Sequence, residues 1–585
     1  MDDFQTEVAR TQSPKSYLYT TLAQIHLGEI ASCIIAKLIA HGRLTAKDIS
    51  VRTKIPIKNV KTALVSLIQL NCLYYWEEKE KKVFYSLKET GLLLFLYSGD
   101  IINHIKKEYG EDEAEIIQNI LTYGHVRVDD YLSQFKDDKA KQIEEENRFL
   151  RLFNDKWLVR LQDFDFHPLD DIWNKVYNEA LAETPRASFT SETKRVQEAQ
   201  DKAKIKLTTL LESGQASSDL FTEVNGVKKL KPELVITFNL ERFQKHLRTN
   251  ALVSLVKARI GLLTAIIFEA GLKHIESNSP DLRYPILDIP GLVNDPTSAK
   301  EFIIKAENKL ASEKKITFSA RDIERYLPKQ VDFNNSIITP TFAKPKRPFE
   351  NGDASPDSKK LKLEDGTAAS KPAFVSDGPK YNSSIIEQHL KLLLNGTNTA
   401  FVYEISPGNY VVPFANLTKI LKQFNFEMLV KTTLGEQGFR ILRCIKAMRL
   451  VDEKAISNAV LLKEKTVRSE IYHLIRANVI EIQEVPRSAD RAASKTFYLF
   501  RHKENYPFLV NCLIHDMAMI LNGIEKFKSE HHILLEKCNR IDVQGQEEQL
   551  LLESELKTLH GLQNREISNI VRLNRLVVLF SIFSQ

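Results

Sequence analysis

Cysteine is scarce in this 585-residue sequence, and none of it is paired by spacing. Cys33, Cys72, Cys444, Cys512 and Cys538 lie far apart with no Cys-x-x-Cys among them. That leaves no ligand set for a zinc ribbon. Each sits in an apolar helix or strand pattern, so buried, reduced thiols in an intracellular protein are expected. Long hydrophobic runs are also missing. The densest, Leu92 to Tyr97 and Val577 to Phe583, are far short of a membrane span, and no signal peptide pattern is present, so no membrane partner is expected. Charge of one sign is missing too. A net +6 is small for the length, so any contact with nucleic acid must be local. There is no phosphate loop, no His-Glu-x-x-His, no dinucleotide glycine fingerprint and no serine elbow. The fourteen histidines are scattered, with His531-His532 the one adjacent pair. Asp129-Asp130 and Asp170-Asp171 fall near predicted helix starts, where carboxylates favour the helix dipole. No enzymatic activity, metal or cofactor is expected of this chain.

What is present is a pattern of helix, turn, helix, strand, basic loop and strand between Asp452 and Arg501. Asp452 can cap a short helix through Ala459. Thr466 to Ala477 carries Val467, Ile471, Leu474 and Ile475 at the spacing of one buried helical face. Val479 to Val485 and the aromatic-rich Thr496 to Arg501 read as strands. The loop between them holds Arg487, Arg491 and Lys495 against the single acid Asp490. This is the signature of a winged helix, with the loop as its wing.

The same signature lies 407 positions earlier. Thr45 falls on Asp452, Ile49 on Ile456, Ser50 on Ser457, Val60 on Val467, Leu64 on Ile471, Leu67 on Leu474 and Asn71 on Asn478, without a gap. The matched positions are caps and apolar seams, the ones a fold fixes. Phe318-Ser-Ala-Arg-Asp-Ile323 mirrors Leu44-Thr-Ala-Lys-Asp-Ile49, and Gly124 to Asp129 follows an apolar helix in a related way. Long, irregular spacing of the copies implies tandem domains, not a solenoid.

The expected architecture is mainly α with small β-hairpins. Four tandem winged-helix modules precede a C-terminal antiparallel helical hairpin. The boundaries are a flexible 1–15, module one at 16–110, module two at 111–184, a linker at 185–230, module three at 231–415, module four at 416–501 and the hairpin at 502–585. Within module three, 343–379 has too little apolar content to offset its ordering entropy, and disorder is expected. In the hairpin, Leu513, Met517, Ile520, Ile524, Phe527, His531, Leu534 and Cys538, then Leu552, Leu556, Leu559, Glu566, Ile570, Leu573, Val577 and Phe580, recur at heptad-like spacing around a polar turn at Gln544-Gly-Gln546. The last segment is apolar on more than one face, which marks Val577, Phe580 and Phe583 as a partner-binding surface.

Basic residues define the other candidate sites. Lys463, Lys465 and Arg468 open the third helix of module four, and with the wing residues Arg487, Arg491 and Lys495 they form the candidate DNA-binding set. Lys54, Lys58 and Lys61 open the equivalent helix of module one and are candidates for partner binding. Lys344, Lys346 and Arg347, then Lys359, Lys360 and Lys362, have the spacing of a bipartite nuclear localisation signal.

Ala23-Gln-Ile-His-Leu-Gly-Glu29, Lys61-Thr-Ala-Leu-Val-Ser-Leu67, Glu481 to Ser494 and Leu550-Leu-Leu-Glu-Ser-Glu-Leu556 resemble the fungal members of one family. It is the large subunit of the three-subunit subcomplex specific to RNA polymerase III. The Glu481 to Ser494 stretch is the most specific, because a wing is free to vary on folding grounds. The resemblance implies a nuclear, non-catalytic subunit on the polymerase clamp beside two partner subunits. It implies help in recruiting the enzyme to promoter-bound initiation factors, and in opening DNA for transfer RNA, 5S ribosomal RNA and other short transcripts. The family is akin to the alpha subunit of the initiation factor TFIIE, whose zinc ribbon is missing here. The alternative reading is a free-standing winged-helix regulator that binds promoter DNA by itself.

Overall fold

The computed structural model describes residues 13–78, 82–135, 139–184, 192–213, 220–224, 227–289, 292–293, 295–328, 331–333, 336–337, 383–395, 399–486 and 496–584. The segment 343–379, expected to be disordered, lies outside the described residues. The chain divides into two compact units. One comprises the chain to Leu252 with Glu276–Leu310 and everything from Phe414 onward; the other is Val253–Ile275 with Ala311–Pro413.

Four small sheets share one topology. In each, a short first strand and a second strand flank the third, all antiparallel. In the first winged helix, Leu44–Thr45 and Leu73–Glu77 flank Val83–Leu87, beneath the helices Glu29–His41, Ala46–Thr53 and Ile57–Gln69. In the fourth, Leu450–Val451 and Ile480–Pro486 flank Thr496–His502, with the helices Glu453–Val460 and Glu464–Arg476.

The 407-residue offset reaches single atoms. Ala46–Thr53 and Ile57–Gln69, shifted by it, are Glu453–Val460 and Glu464–Arg476. Thr45 and Asp452 both cap through their side chains. Ser50 Oγ donates to the Ile55 carbonyl at 2.7 Å, and Ser457 Oγ to that of Leu462 at 2.6 Å. Lys54 and Leu461 both turn through positive φ, as do Asn71 and Asn478. Asn tolerates that conformation best among residues with a Cβ, because its amide bonds locally. The Phe318 to Ile323 echo holds as well. Ser319 and Asp322 form the same reciprocal capping box as Thr45 and Asp48, ahead of Ala320–Glu324.

The second winged helix corrects the expected boundary. Its third strand is Val235–Phe238, which pairs with both His125–Arg127 and Leu158–Arg160. That strand lies in 231–415, the span expected for module three. A long insertion separates the two wing strands. It contains the helices Leu169–Glu183 and Glu192–Ser213, the latter falling where a linker was expected. The two helices share an apolar core of Ile172, Trp173, Val176, Ala180, Ala203 and Leu207. The third winged helix is then Leu262–Ile275, Ala320–Glu324 and Ser383–Leu394, with Thr317–Ser319 and Tyr403–Ser406 flanking Asn409–Val411.

The apolar stretch from Leu18 to Ala40 divides into two helices at Gly28. Gly28 sits at φ 89°, a conformation that costs a Cβ-bearing residue about 1–2 kcal/mol, and the chain reverses there. Glu29–His41 belongs to the first winged helix. Pro14–Leu27 instead packs on the hairpin helix Tyr506–Glu530. Tyr17 marks the junction: its hydroxyl accepts from Asn522 Nδ2 at 2.9 Å and lies 3.7 Å from Met519 Sδ. Tyr506–Glu530 is long and apolar enough to cross a bilayer by composition alone. Here its Leu513, Ile514, Met517 and Ala518 are buried against protein. The last helix, Glu553–Phe583, packs on Tyr506–Glu530 as well, and the three helices share one core.

That arrangement overturns one candidate surface. Val577, Phe580 and Phe583 are at most 5% exposed. Val577 and Phe580 join the core that holds Leu18, Leu22 and Met517, while Phe583 enters the core of the fourth winged helix. Burial of each contributes about 1.5–3 kcal/mol to folding. The apolar excess at the end of the chain is spent inside the molecule. The thiols meet the expectation only in part: all five are free, but only Cys72 is buried, and Cys33 is exposed.

Candidate nucleic-acid interface

The fourth winged helix presents a basic helix start and a long ribbon. Lys463 stands just ahead of Glu464–Arg476, and Lys463, Lys465 and Arg468 are all exposed. Arg468 is partly engaged, at 2.8 Å from Glu453. The ribbon runs seven residues per strand, from the pair Ile480–His502 to the pair Pro486–Thr496. Its base is buried through Ile480 and Phe500, and Glu481 pairs with Arg501 on the opposite face. Beyond that base, Ile482 and Tyr498 are exposed on one face, and Val485 and Phe497 on the other. Arg487, Arg491 and Lys495 belong to the loop joining these strands, and lie outside the described residues. So do Lys344, Lys346, Arg347, Lys359, Lys360 and Lys362.

The first winged helix repeats the helix face. Lys54, Lys58 and Lys61 are exposed, with Val51, Ile57 and Val65 exposed among them. The offset that aligns the folds also aligns these surfaces. Lys58, Lys61 and Val65 stand where Lys465, Arg468 and Tyr472 stand. Two basic groups followed one turn later by an exposed apolar side chain make a stripe on each helix. The exposed aromatics Phe497 and Tyr498 escaped the sequence reading. Alternation alone does not say how far a ribbon projects beyond its core.

A second feature escaped it altogether. The helix Leu240–Arg259 carries a buried row of Arg242, Lys245, Arg248 and Thr249. Glu276 lies 2.9 Å from Arg242, as a charge contact without hydrogen-bond alignment, and 3.3 Å from His246 Nδ1. Lys245 donates to the Ser279 carbonyl at 2.9 Å and to Asp281 at 2.7 Å. Arg248 donates to Ser279 Oγ at 2.8 Å and stacks over Phe414. Burial pushes the Arg248 guanidinium down to about 10, against the pull of Glu241 and Glu276. Burial works to raise the Glu276 carboxyl, but His246 and Arg242 outweigh it and hold it below its usual range. These groups clamp the turn from Glu276 to Asp281 against the helix Leu240–Arg259.

His104 lies against this cluster, its ring 3.9 Å from that of His246. Burial first, then the neighbouring His246, brings His104 down to about 4. His104 is therefore neutral when folded and titrates near 6.5 when unfolded. Its contribution to stability is complete above pH 6.5 and lost as the pH falls towards 4. Thermal unfolding temperature should fall across that window, and His104→Phe should flatten part of the fall. An acid limb unchanged in the variant would show that His104 does not contribute.

Among the described residues no group of His, Cys, Asp and Glu could hold a metal ion. A family model described as the RNA polymerase III subunit RPC82 helix-turn-helix domain matches residues 17–78, and that of RNA polymerase III subunit RPC82 matches 147–421. The C-terminal winged-helix domain of POLR3C matches 426–502, and the helical hairpin domain of DNA-directed RNA polymerase III subunit RPC3 matches 533–584. The chain is 67% identical to the DNA-directed RNA polymerase III subunit RPC3 of Candida albicans, over the whole of both chains. It is 57% identical to that of Scheffersomyces stipitis, over 99% of each. The Saccharomyces cerevisiae protein of the same name is 36% identical, over 98% of this chain and 94% of that one. Likeness of this degree, end to end and module by module, sets aside the free-standing regulator: the chain belongs to the RNA polymerase III subunit RPC3, or RPC82, family.

Proposed function

We propose that the chain is a non-catalytic accessory subunit of RNA polymerase III that works from the nucleus. In this reading it joins two further subunits in a subcomplex on the clamp of the largest subunit. There it supports recruitment to promoter-bound initiation factors and opening of promoter DNA. The hairpin anchors it, the first winged helix takes protein partners through Lys54, Lys58 and Lys61, and the Lys344 to Lys362 clusters serve import.

The observation that supports a DNA role best is the ribbon of the fourth winged helix. A two-stranded arm that exposes Phe497 and Tyr498 leads into a loop carrying Arg487, Arg491 and Lys495. Cations neutralise phosphates, and exposed rings offer faces to unpaired bases. Changing Arg487 and Arg491 to Ala should weaken binding to a pre-opened promoter duplex. If both meet phosphate, the slope of log affinity against log salt should fall by about 2. An unchanged slope would remove this loop from the DNA contact.

A test of the anchor by truncation near Arg501 would not discriminate. Removing the hairpin also strips the apolar face of Pro14–Leu27 and uncovers the core of the fourth winged helix. Loss of association would then report misfolding as readily as a lost contact. The anchor must be tested by surface substitutions.

A further inference from the structure

In the first and fourth winged helices the second strand forms an outer edge of the sheet. That strand is Leu73–Glu77 in the first and Ile480–Pro486 in the fourth. Both ladders run in the same hydrogen-bonding phase. Lys88 N–H donates to the Cys72 carbonyl at 2.9 Å, and Lys503 N–H to the Val479 carbonyl at 3.0 Å. Antiparallel pairing alternates from there. Tyr75 and Ile482, each three residues past its carbonyl and 407 apart, therefore turn their own N–H and C=O to the open edge.

The two edges differ in what lies on them. The first is crossed by the short turn Asp163–Phe166 and by His167 after it. His167 Nδ1 donates to the Tyr75 carbonyl at 2.7 Å. Its ring stands against Tyr75 and Trp76, with centroids at 4.9 and 5.4 Å, and the Phe166 ring lies 6.3 Å from that of Tyr75. Lys88 Nζ donates to the Asp165 carbonyl at 2.8 Å. Tyr75 and Trp76 are half-buried under this cover. On the fourth, the same two positions are Ile482, 48% exposed, and Gln483, also exposed. The Ile482 carbonyl and the ammonium of Lys503, the counterpart of Lys88, have no partner among the described residues. An outward carbonyl beside an exposed apolar side chain is the kind of edge that folded proteins cover.

We infer that a partner protein supplies to the fourth winged helix the cover that Asp163–His167 supplies to the first. The occupant is a short turn in which an aromatic residue directly precedes a side-chain N–H donor such as His. The donor meets the Ile482 carbonyl, the ring lies on the Ile482 side chain, and a backbone carbonyl of the turn accepts from Lys503. The inference rests on the reading of the chain as a polymerase subunit and not on the DNA contact of the wing.

Photo-crosslinking in the assembled polymerase tests it, with benzoylphenylalanine in place of Gln483, which stands where Trp76 meets His167. The expected product joins position 483 to a segment of another subunit that holds an aromatic residue directly before an N–H-donating side chain. A crosslink to nucleic acid, to this chain itself or to a segment without that pair, or no crosslink, overturns the proposal. Lys503 gives the second readout. Lys503→Met should reduce the crosslink yield by about tenfold, the worth of one hydrogen bond from a charged group, and Lys503→Arg should restore most of it. Full yield in Lys503→Met, or a loss that Arg does not restore, overturns the part given to Lys503. Ala in place of the mapped donor should match the loss, and full yield there overturns the bond to Ile482. The free chain should unfold at the same temperature in both Lys503 variants, which separates a lost partner from a lost fold. The two readings fail differently. A chain that does not enter the polymerase removes the subunit reading, whereas one that enters and gives no crosslink removes only the covered edge.

Discussion

Glu276→Gln is expected to destabilise the protein by about 3–5 kcal/mol, far more than an ordinary surface substitution. The carboxylate is only 4% exposed and is the counter-charge nearest to Arg242, itself buried and stacked over Trp157 at 4.5 Å. Gln keeps the size and removes the charge. Among the described residues the guanidinium then keeps one donor bond, from Nε to the Asp155 carbonyl at 3.2 Å. Leaving one buried charge uncompensated is the costly case, whereas replacing both members by apolar groups is often close to neutral. Arg242→Met in the Glu276→Gln background should therefore recover a large part of the loss. Thermal or urea unfolding with hydrogen exchange on Leu240–Arg259 measures both. A loss below about 0.5 kcal/mol in the single variant would show that water reaches the pair and screens it.

No reading of the sequence found this cluster, and the reason is physical. Arg242 and Glu276 stand on separate elements with a second helix between them, so no fixed spacing announces their contact. The first and fourth winged helices were legible because cap, seam and αL turn must all recur in register for that fold to close. Seven paired positions at one offset leave little room for another explanation. The second winged helix was legible only in part: the mate of Leu158–Arg160 lies beyond two inserted helices, and β pairing carries no record of sequence distance. The end of the chain shows a different limit. Heptad spacing says that Val577 and Phe580 face something apolar, but not whose. The structure answers with Leu18, Leu22 and Met517 for that pair.

Gly124→Ala should cost about 2–5 kcal/mol, and where that cost arises decides whether the first two winged helices act as one body. Gly124 sits at φ 80° between the helix Glu111–Tyr123 and the strand His125–Arg127. A Cβ there would lie 2.1 Å from the Gln69 carbonyl oxygen and 2.6 Å from the Leu70 Cα, both backbone atoms of the first winged helix. The same seam holds hydrogen bonds from Gln69 Nε2 to the Tyr123 and His125 carbonyls at 3.0 and 3.1 Å. Asn71 Nδ2 adds bonds to the Gly124 carbonyl at 3.4 Å and to Thr237 Oγ1 at 3.3 Å. One methyl group must therefore either push the two modules apart, breaking those bonds, or not fit. Gly408 provides the control, since it also sits at φ 80° but has open space where its Cβ would go. Gly408→Ala should show the conformational cost alone, about 1–2 kcal/mol. The excess in Gly124→Ala is then the steric cost of the seam, and it should appear as faster hydrogen exchange at Gln69 to Asn71 and at His125 to Arg127. Equal costs in the two variants would mean that the seam yields freely, and that the first winged helix can turn against the second while the polymerase is at work.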